Sequence, residues 1–218
     1  MIPRKRLSSL KKTGCKKISR LEKKVNLALA LSAKDRDQTM SFVVIEALNT
    51  WNNFLRSLYL SLTIEARSTK GKKIIATPPI PSFNAAIGIA INANSRFPRN
   101  PPTSGTWNRR DEPSWHNLTM FRNACQALNC SYIIDIDTAL SIGTRAYRDL
   151  PTIRNYYAHR NESTVQNVKN LAYYYGIPRS LSPTEILYSY PLGNPYRPLI
   201  LDLLSDLSLS MELLCEGI

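Results

Sequence analysis

Between Asp35 and Glu65 apolar residues recur every three or four positions: Phe42, Ile45, Leu48, Leu55, Tyr59 and Leu62, with Val44, Ala47, Trp51, Phe54 and Leu58 widening the stripe. That period belongs to a helix, and neither Pro nor Gly interrupts it, so the pattern predicts one long helix. A narrow polar stripe, Glu46, Asn49, Asn53 and Arg56, runs opposite. Such a stripe ordinarily faces solvent or the polar part of a bundle; contact with a functional site is the alternative. A helix apolar around most of its girth must sit between neighbours, which predicts a helical bundle, with or without a partner subunit.

Residues 67–117 break the pattern. They hold half of the fourteen prolines (Pro78, Pro79, Pro81, Pro98, Pro101, Pro102 and Pro113), with Gly71 and Gly105. Extended loop is expected there, apart from one short helix from Ser82 to about Asn92. Helical signals then return. Ser114 can cap a helix to about Asn129, and Asp135 or Asp137 can start the next, through Ala139, Ile142 and Tyr147. Pro151 suits the first turn of a further helix, which Asn161 and Glu162 end. Ser163-x-x-Gln166 has the form of a capping box, Gly176 followed by Pro178 supplies a stop, and Ser182-Pro183-Thr184-Glu185 repeats the start signal. The leucine-rich segment Pro198–Cys215 closes the chain as a helix. No alternating strand pattern and no internal repeat occurs. The expected fold class is all-α, a helical bundle with a Pro-rich insertion.

Composition adds a division of charge. The 218 residues, 43% hydrophobic and 21% charged, suffice for one globular domain with or without an elaboration. Ten Lys/Arg against the single acid Glu22 give residues 1–24 a net +9, which leaves +4 of the total +13 for the other 194 residues. The expected organisation is therefore a basic, flexible arm at 1–24 and a single helical domain at 25–218, with the Pro/Arg-rich insertion at about 67–117. A cationic arm favours polyphosphate partners through counterion release, without sequence specificity. A solvated tail is the alternative, and an acidic membrane surface a third, for which the segment lacks a strong apolar face. No uncharged apolar run reaches 18 residues and the N-terminus lacks a secretory pattern, so a cytoplasmic protein without a membrane span is expected. Cys15, Cys125, Cys130 and Cys215 form no CxxC pair and suggest neither zinc nor a disulfide framework. In the insertion, Arg96, Arg99, Arg109 and Arg110 with Phe97 and Trp107 could grip a nucleic-acid backbone and stack on bases; the alternative is that the aromatics pin the loop to the bundle. His116, beside Trp115, reads as a packing or capping residue.

The chemistry concentrates in Arg154-Asn155-Tyr156-Tyr157-Ala158-His159-Arg160-Asn161. Histidine, with an unperturbed pKa of roughly 6.5, donates and accepts protons near neutrality. Arginine is permanently cationic and matches phosphate oxygens with a planar fork. Together they suit in-line cleavage of RNA, which needs no metal and no cofactor. A base takes the proton of the ribose 2′-OH, the oxygen attacks the adjacent phosphate, and an acid protonates the leaving 5′-oxygen while Arg balances the charge on phosphorus. On an ideal helix Arg154 and His159 are roughly 140° out of register, whereas Asn155 shares the face of His159. One stretch supplies one histidine, and the reaction wants a base and an acid; a twofold dimer would supply both. The same pair also occurs as a helix cap or an interface element. Arg148 and Arg160 could hold flanking phosphates or stand as exposed charges. Tyr156, Tyr157 and Tyr173–Tyr175 could stack on bases or pack in the core and interfaces.

Arg154-Asn155-Tyr156-Tyr157-Ala158-His159 resembles the R-x4–6-H motif of the HEPN superfamily, in which a polar residue, often Asn, follows the Arg and an Ala commonly precedes the His. HEPN proteins are all-α bundles that dimerise, and many are metal-independent endoribonucleases of toxin–antitoxin, CRISPR and other antiviral systems. The resemblance implies Arg154 and His159 as catalytic residues, Asn155 as a positioning residue, RNA as substrate, a homodimer, and an antitoxin or regulatory partner protein. In one HEPN toxin group a Tyr two residues after the His is modified by a nucleotidyltransferase antitoxin. Asn161 stands there in this chain, so that regulation is not expected. The basic arm and Pro-rich insertion are not general HEPN features. Some HEPN domains bind without cutting, so a non-catalytic RNA- or partner-binding module is the alternative.

Overall fold

A computed structural model describes residues 1–142 and 144–217; Gly143 and Ile218, the last residue of the expected 25–218 domain, lie outside it. Among the described residues there are α-helices, one 3-10 turn (Arg109–Asp111) and no strand beyond isolated bridges. The helices are α1 (Leu7–Ala28), α2 (Ala33–Leu62), α3 (Phe83–Ala93), α4 (Leu118–Ala127), α5 (Ile133–Ser141), α6 (Ala146–His159), α7 (Glu162–Tyr174), α8 (Pro183–Tyr188) and α9 (Leu199–Glu216). None of them is long and apolar enough to cross a membrane. The chain is all-α. It forms two compact units: Met1–Cys15 with Trp51–Gly143 and Ser210–Ile218, and Lys16–Thr50 with Thr144–Leu209. Helices α1, α2 and α9 each contribute residues to both.

The basic segment expected as a flexible arm is instead helical. Leu7, Leu10, Ile18, Leu21, Val25 and Ala28 are all buried and recur at three- and four-residue steps. Gly14 completes the stripe, because a Cβ there would come within 2.6 Å of Met211 Sδ. Composition hides this: the lysines dominate the count, whereas the period of the few apolar residues decides the structure.

In the first unit the polar stripe of α2 acts as an anchor for the Pro-rich stretch. The Arg56 guanidinium donates to both oxygens of Glu112 (2.7 and 2.8 Å). Arg109 and the Trp115 indole N–H donate to the same carboxylate (2.7 and 2.8 Å), and Arg109 also reaches Asn53 Oδ1 (3.1 Å). The His116 amide donates to Asn52 Oδ1 (3.2 Å). The Glu112 side chain is only 5% exposed. Trp115 packs on Tyr59 with ring centroids 4.9 Å apart, and the Tyr59 hydroxyl donates to the Ala86 carbonyl at 2.6 Å. On α3, Asn84 holds the Gly105 carbonyl and the Trp107 amide (2.8 and 2.9 Å). At Gly88 a Cβ would meet Trp107 Nε1 at 2.9 Å, so the indole lies directly against the helix. Helix α3 occupies the span read from the sequence, with Ser82 as its N-cap.

Several boundaries differ from the sequence reading. Asn117, not Ser114, caps α4, accepting the Met120 amide at 3.2 Å. Helix α5 begins at Ile133, so Asp135 and Asp137 lie inside it. Pro151 stands in the interior of α6, which begins at Ala146; its ring removes the N–H that would bond the Tyr147 carbonyl. Asp135 is bound by Lys72 (2.7 Å) and Asp137 by Arg122 (2.6 Å), so both aspartates join α5 to its surroundings, and Asp135 in the first turn also favours its start. All four cysteines are free, and burial pushes the Cys125, Cys130 and Cys215 thiols up.

Glu112 gives a testable consequence. Burial raises its carboxyl, but hydrogen bonds from Arg56 and Trp115 and the charges of Arg56 and Arg109 outweigh burial and hold it below the usual range. Its contribution is therefore present above the unfolded pKa, about 4.3, and is lost as pH falls through the lower folded value. Glu112→Gln is expected to lower stability by about 2 kcal/mol at neutral pH. In denaturant titrations across pH, the gap from wild type should close in acid.

Candidate functional site

The stretch that carries the motif is one arm of a helical hairpin in the second unit, where α6 packs on α7 and α7 on α8. Ala146, Asp149, Leu150, Ile153 and Tyr157 form the buried face of α6. Both ends of the hairpin are fastened. At the far end Asp149, 1% exposed, accepts the Tyr175 hydroxyl (2.5 Å) and Arg148 Nε (3.0 Å). Burial, then the bond to Asp149, pushes the Tyr175 hydroxyl up, so it stays a donor. At the near end α6 stops on Arg160, whose backbone is left-handed (φ 42°, ψ 42°) and whose N–H bonds the Tyr156 carbonyl at 2.8 Å. Asn161 then caps α7: its Oδ1 accepts the Thr164 amide (2.9 Å), and Thr164 Oγ1 accepts the Asn161 amide (3.1 Å). This box, not Ser163 with Gln166, starts the helix; the Gln166 amide instead donates to Asn170. The stop at Gly176 (φ 66°) and the Ser182/Glu185 box of α8 stand where the sequence puts them.

Arg154, Asn155 and His159 all lie on the exposed side of α6. No described side chain holds any of the three. Rotation at about 100° per residue puts Arg148, Asn155 and His159 within roughly 40° of one another, a single outward stripe. Arg154 sits on the flank, roughly 100° from Asn155 and 140° from His159. The helix is continuous through Arg154 and His159, so one copy aligns the amide and the imidazole, while the guanidinium must reach around.

The two flanking arginines are engaged. Arg148 keeps most of its side chain in solvent while its Nε binds Asp149. Arg160 pairs with Asp37 at 2.8 Å and covers the Tyr156 and Tyr157 rings. Asp37 also accepts the Thr184 hydroxyl (2.6 Å), which shares a hydrogen bond with the Tyr157 hydroxyl (2.9 Å). Burial is the main cause that raises Tyr157. Tyr156, Asp37, Thr184, Arg36, Glu185 and Tyr188 line a cavity of about 260 Å³. The tyrosines thus divide. Tyr157 and Tyr175 are structural, whereas Tyr173 and Tyr174 are 65% and 68% exposed, with Arg179 stacked 4.6 Å over Tyr173. Sequence reasoning marked Arg154, Asn155 and His159 but not Asp37, Asp149 or Thr184, which fix the helix that carries them. An isolated acid with a partner far along the chain leaves no local signal.

In the insertion, Phe97 is 70% exposed beneath Arg96, and Arg99 lies over Trp107 and pairs loosely with Asp111 (3.6 Å). Arg109 serves Glu112. Comparison of the chain with family models, curated proteins and solved structures yields no match in any of the three.

The left-handed turn separates two roles of Arg160. Arg160→Ala loses the pair with Asp37 and keeps the strained conformation, and is expected to cost about 1–2 kcal/mol. Arg160→Gly loses the same pair but relieves the strain, and should fall within about 1 kcal/mol of wild type. Chemical denaturation of both variants checks the order.

Proposed function

We propose that the protein is a metal-independent endoribonuclease of HEPN type, a dimeric toxin or antiviral defence effector that cuts RNA in the cytoplasm. What supports this reading is that Arg154, Asn155 and His159 are all exposed and unengaged on a helix clipped at both ends, while the charges beside them are tied down. A rigid helix with free functional groups is what a preorganised site requires.

In this mechanism one His159 takes the proton from a ribose 2′-OH. The oxygen attacks the adjacent phosphorus and the P–O5′ bond breaks. The His159 of a second copy protonates the departing 5′-oxygen, leaving a 2′,3′-cyclic phosphate and a 5′-hydroxyl. Arg154 neutralises charge on the phosphoryl oxygens, and Asn155, on the stripe of His159, orients the phosphate. Arg148 extends the same stripe toward a flanking phosphate. Arg160, held by Asp37, contributes first to the turn that positions His159. Activity is restrained by an antitoxin or regulatory partner protein.

The flank position of Arg154 favours a second reading, a HEPN-type module that binds RNA or a partner protein without cutting. The two readings separate on purified protein incubated with total RNA in EDTA. Wild type is expected to cut and to leave 2′,3′-cyclic phosphate ends, with Arg154→Ala and His159→Ala each slower by about 100-fold or more. Equal cutting by the variants overturns the mechanism. RNA binding that weakens with salt but yields no new termini gives the second reading.

A further inference from the structure

Helix α1 presents a one-sided array of positive charge that no part of the described molecule uses. Its buried residues run along a single face, at positions 18, 21, 25 and 28 in the second unit. Lys16, Lys17, Arg20, Lys23 and Lys24 are exposed on the other sides. At about 100° per residue Lys16, Arg20 and Lys23 fall within roughly 60° of one another, with Lys17 and Lys24 along one border. The only acid of α1, Glu22, is taken by Arg197 at 2.8 Å. Lys24 lies over the Phe42 ring at 5.1 Å. Among the described residues, Lys16, Lys17, Arg20 and Lys23 have no carboxylate partner.

Four like charges on two turns of helix repel one another, and nothing in the helix requires them there, because the buried face alone secures it. Lys16, Arg20 and Lys23 advance by about 4.5–6 Å along the axis, with Lys17 flanking them, a step comparable with that between neighbouring phosphates of one strand. An anionic membrane is the competing surface. Interfacial helices hold membranes by burying an apolar face; on α1 that face, Ile18, Leu21, Val25 and Ala28, is buried inside the protein, and the outward side keeps Leu27 (74% exposed) as its apolar residue.

We propose that the outward face of α1, Lys16, Lys17, Arg20 and Lys23, is a phosphate-tracking ridge that holds the backbone of single-stranded RNA. That the polyanion is RNA rests on the nuclease reading above; the ridge does not depend on His159. Binding occurs through counterion release, so it carries little sequence preference and weakens steeply with salt.

The test uses the full chain carrying His159→Ala, so that binding is read without cleavage. Its affinity for a fluorescent single-stranded RNA oligonucleotide is followed by anisotropy over a series of salt concentrations. Replacing Lys16, Lys17, Arg20 and Lys23 by Gln should reduce the slope of log affinity against log salt by about 3, at roughly 0.7 for each phosphate that is no longer neutralised. Affinity at physiological salt should fall at least about tenfold. A control removes the same charge elsewhere, replacing the exposed Lys5, Lys34, Lys70 and Lys73 by Gln, and circular dichroism verifies that both proteins are folded. A slope that falls with the ridge and holds in the control supports the proposal. Equal changes in both overturn it in favour of the overall field of the protein. Binding to phosphatidylserine vesicles without RNA binding overturns it in favour of a membrane. Ridge-dependent RNA binding by a wild-type protein that cuts nothing upholds the ridge and removes the nuclease reading alone.

Discussion

The structure rests on covering α2. From Met40 to Leu62 this helix buries Met40, Val43, Val44, Ala47, Leu48, Trp51, Phe54, Leu55, Leu58, Tyr59, Leu60 and Leu62. Each large apolar side chain removed from water is worth about 1.5–3 kcal/mol, so such a helix is stable only when other elements surround it. The polar residues left on it then acquire specific duties. In the first unit Asn52, Asn53 and Arg56 become the fixed points from which a stretch rich in proline is suspended. In the second, Asp37 near its start reaches the turn after α6 and the first turn of α8.

This division explains what could be read in advance. Periodicity and caps are local, so the long helix, α3, the Ser182/Glu185 box and the stop at Gly176 were legible from the chain alone. Local signals also mislead where two compete: Asn161 with Thr164 outranks Ser163 with Gln166 because Asn161 directly follows the left-handed Arg160 and faces the first free amides of α7. The α1 stripe was obscured by ten cations in 24 residues, although its apolar period is as regular as that of α2. What lay beyond local reading were the long-range pairs. Arg56 and Glu112 are 56 residues apart, and Asp37 and Thr184 are 147 apart. No pattern in either neighbourhood predicts its partner.

The candidate site was legible to a similar depth. Residue types and spacing singled out Arg154, Asn155 and His159 as candidates, and helical geometry put the first off the face of the other two. Only the folded chain distinguishes the neighbouring arginines. Arg148 continues the stripe of Asn155 and His159, while Arg160 belongs to a structural network with Asp37, Thr184 and Tyr157. The tyrosines, uniform in sequence, separate in the same way into the buried Tyr157, the half-buried Tyr156 and Tyr175, and the exposed Tyr173 and Tyr174.

The clips at the two ends of the hairpin have an evolutionary consequence. Asp149 fixes the start of the motif helix against Tyr175, and Asn161 fixes the restart of the chain after it. Adding or deleting one residue between them would turn everything downstream by about 100°; an added residue would carry His159 toward the core, and either change would move Tyr157 off the centre of the buried face. Side chains on the outer stripe can drift freely as long as function allows, but the length of this segment cannot. Descendants of this chain should therefore differ in spelling between Asp149 and Asn161 while keeping the same number of letters.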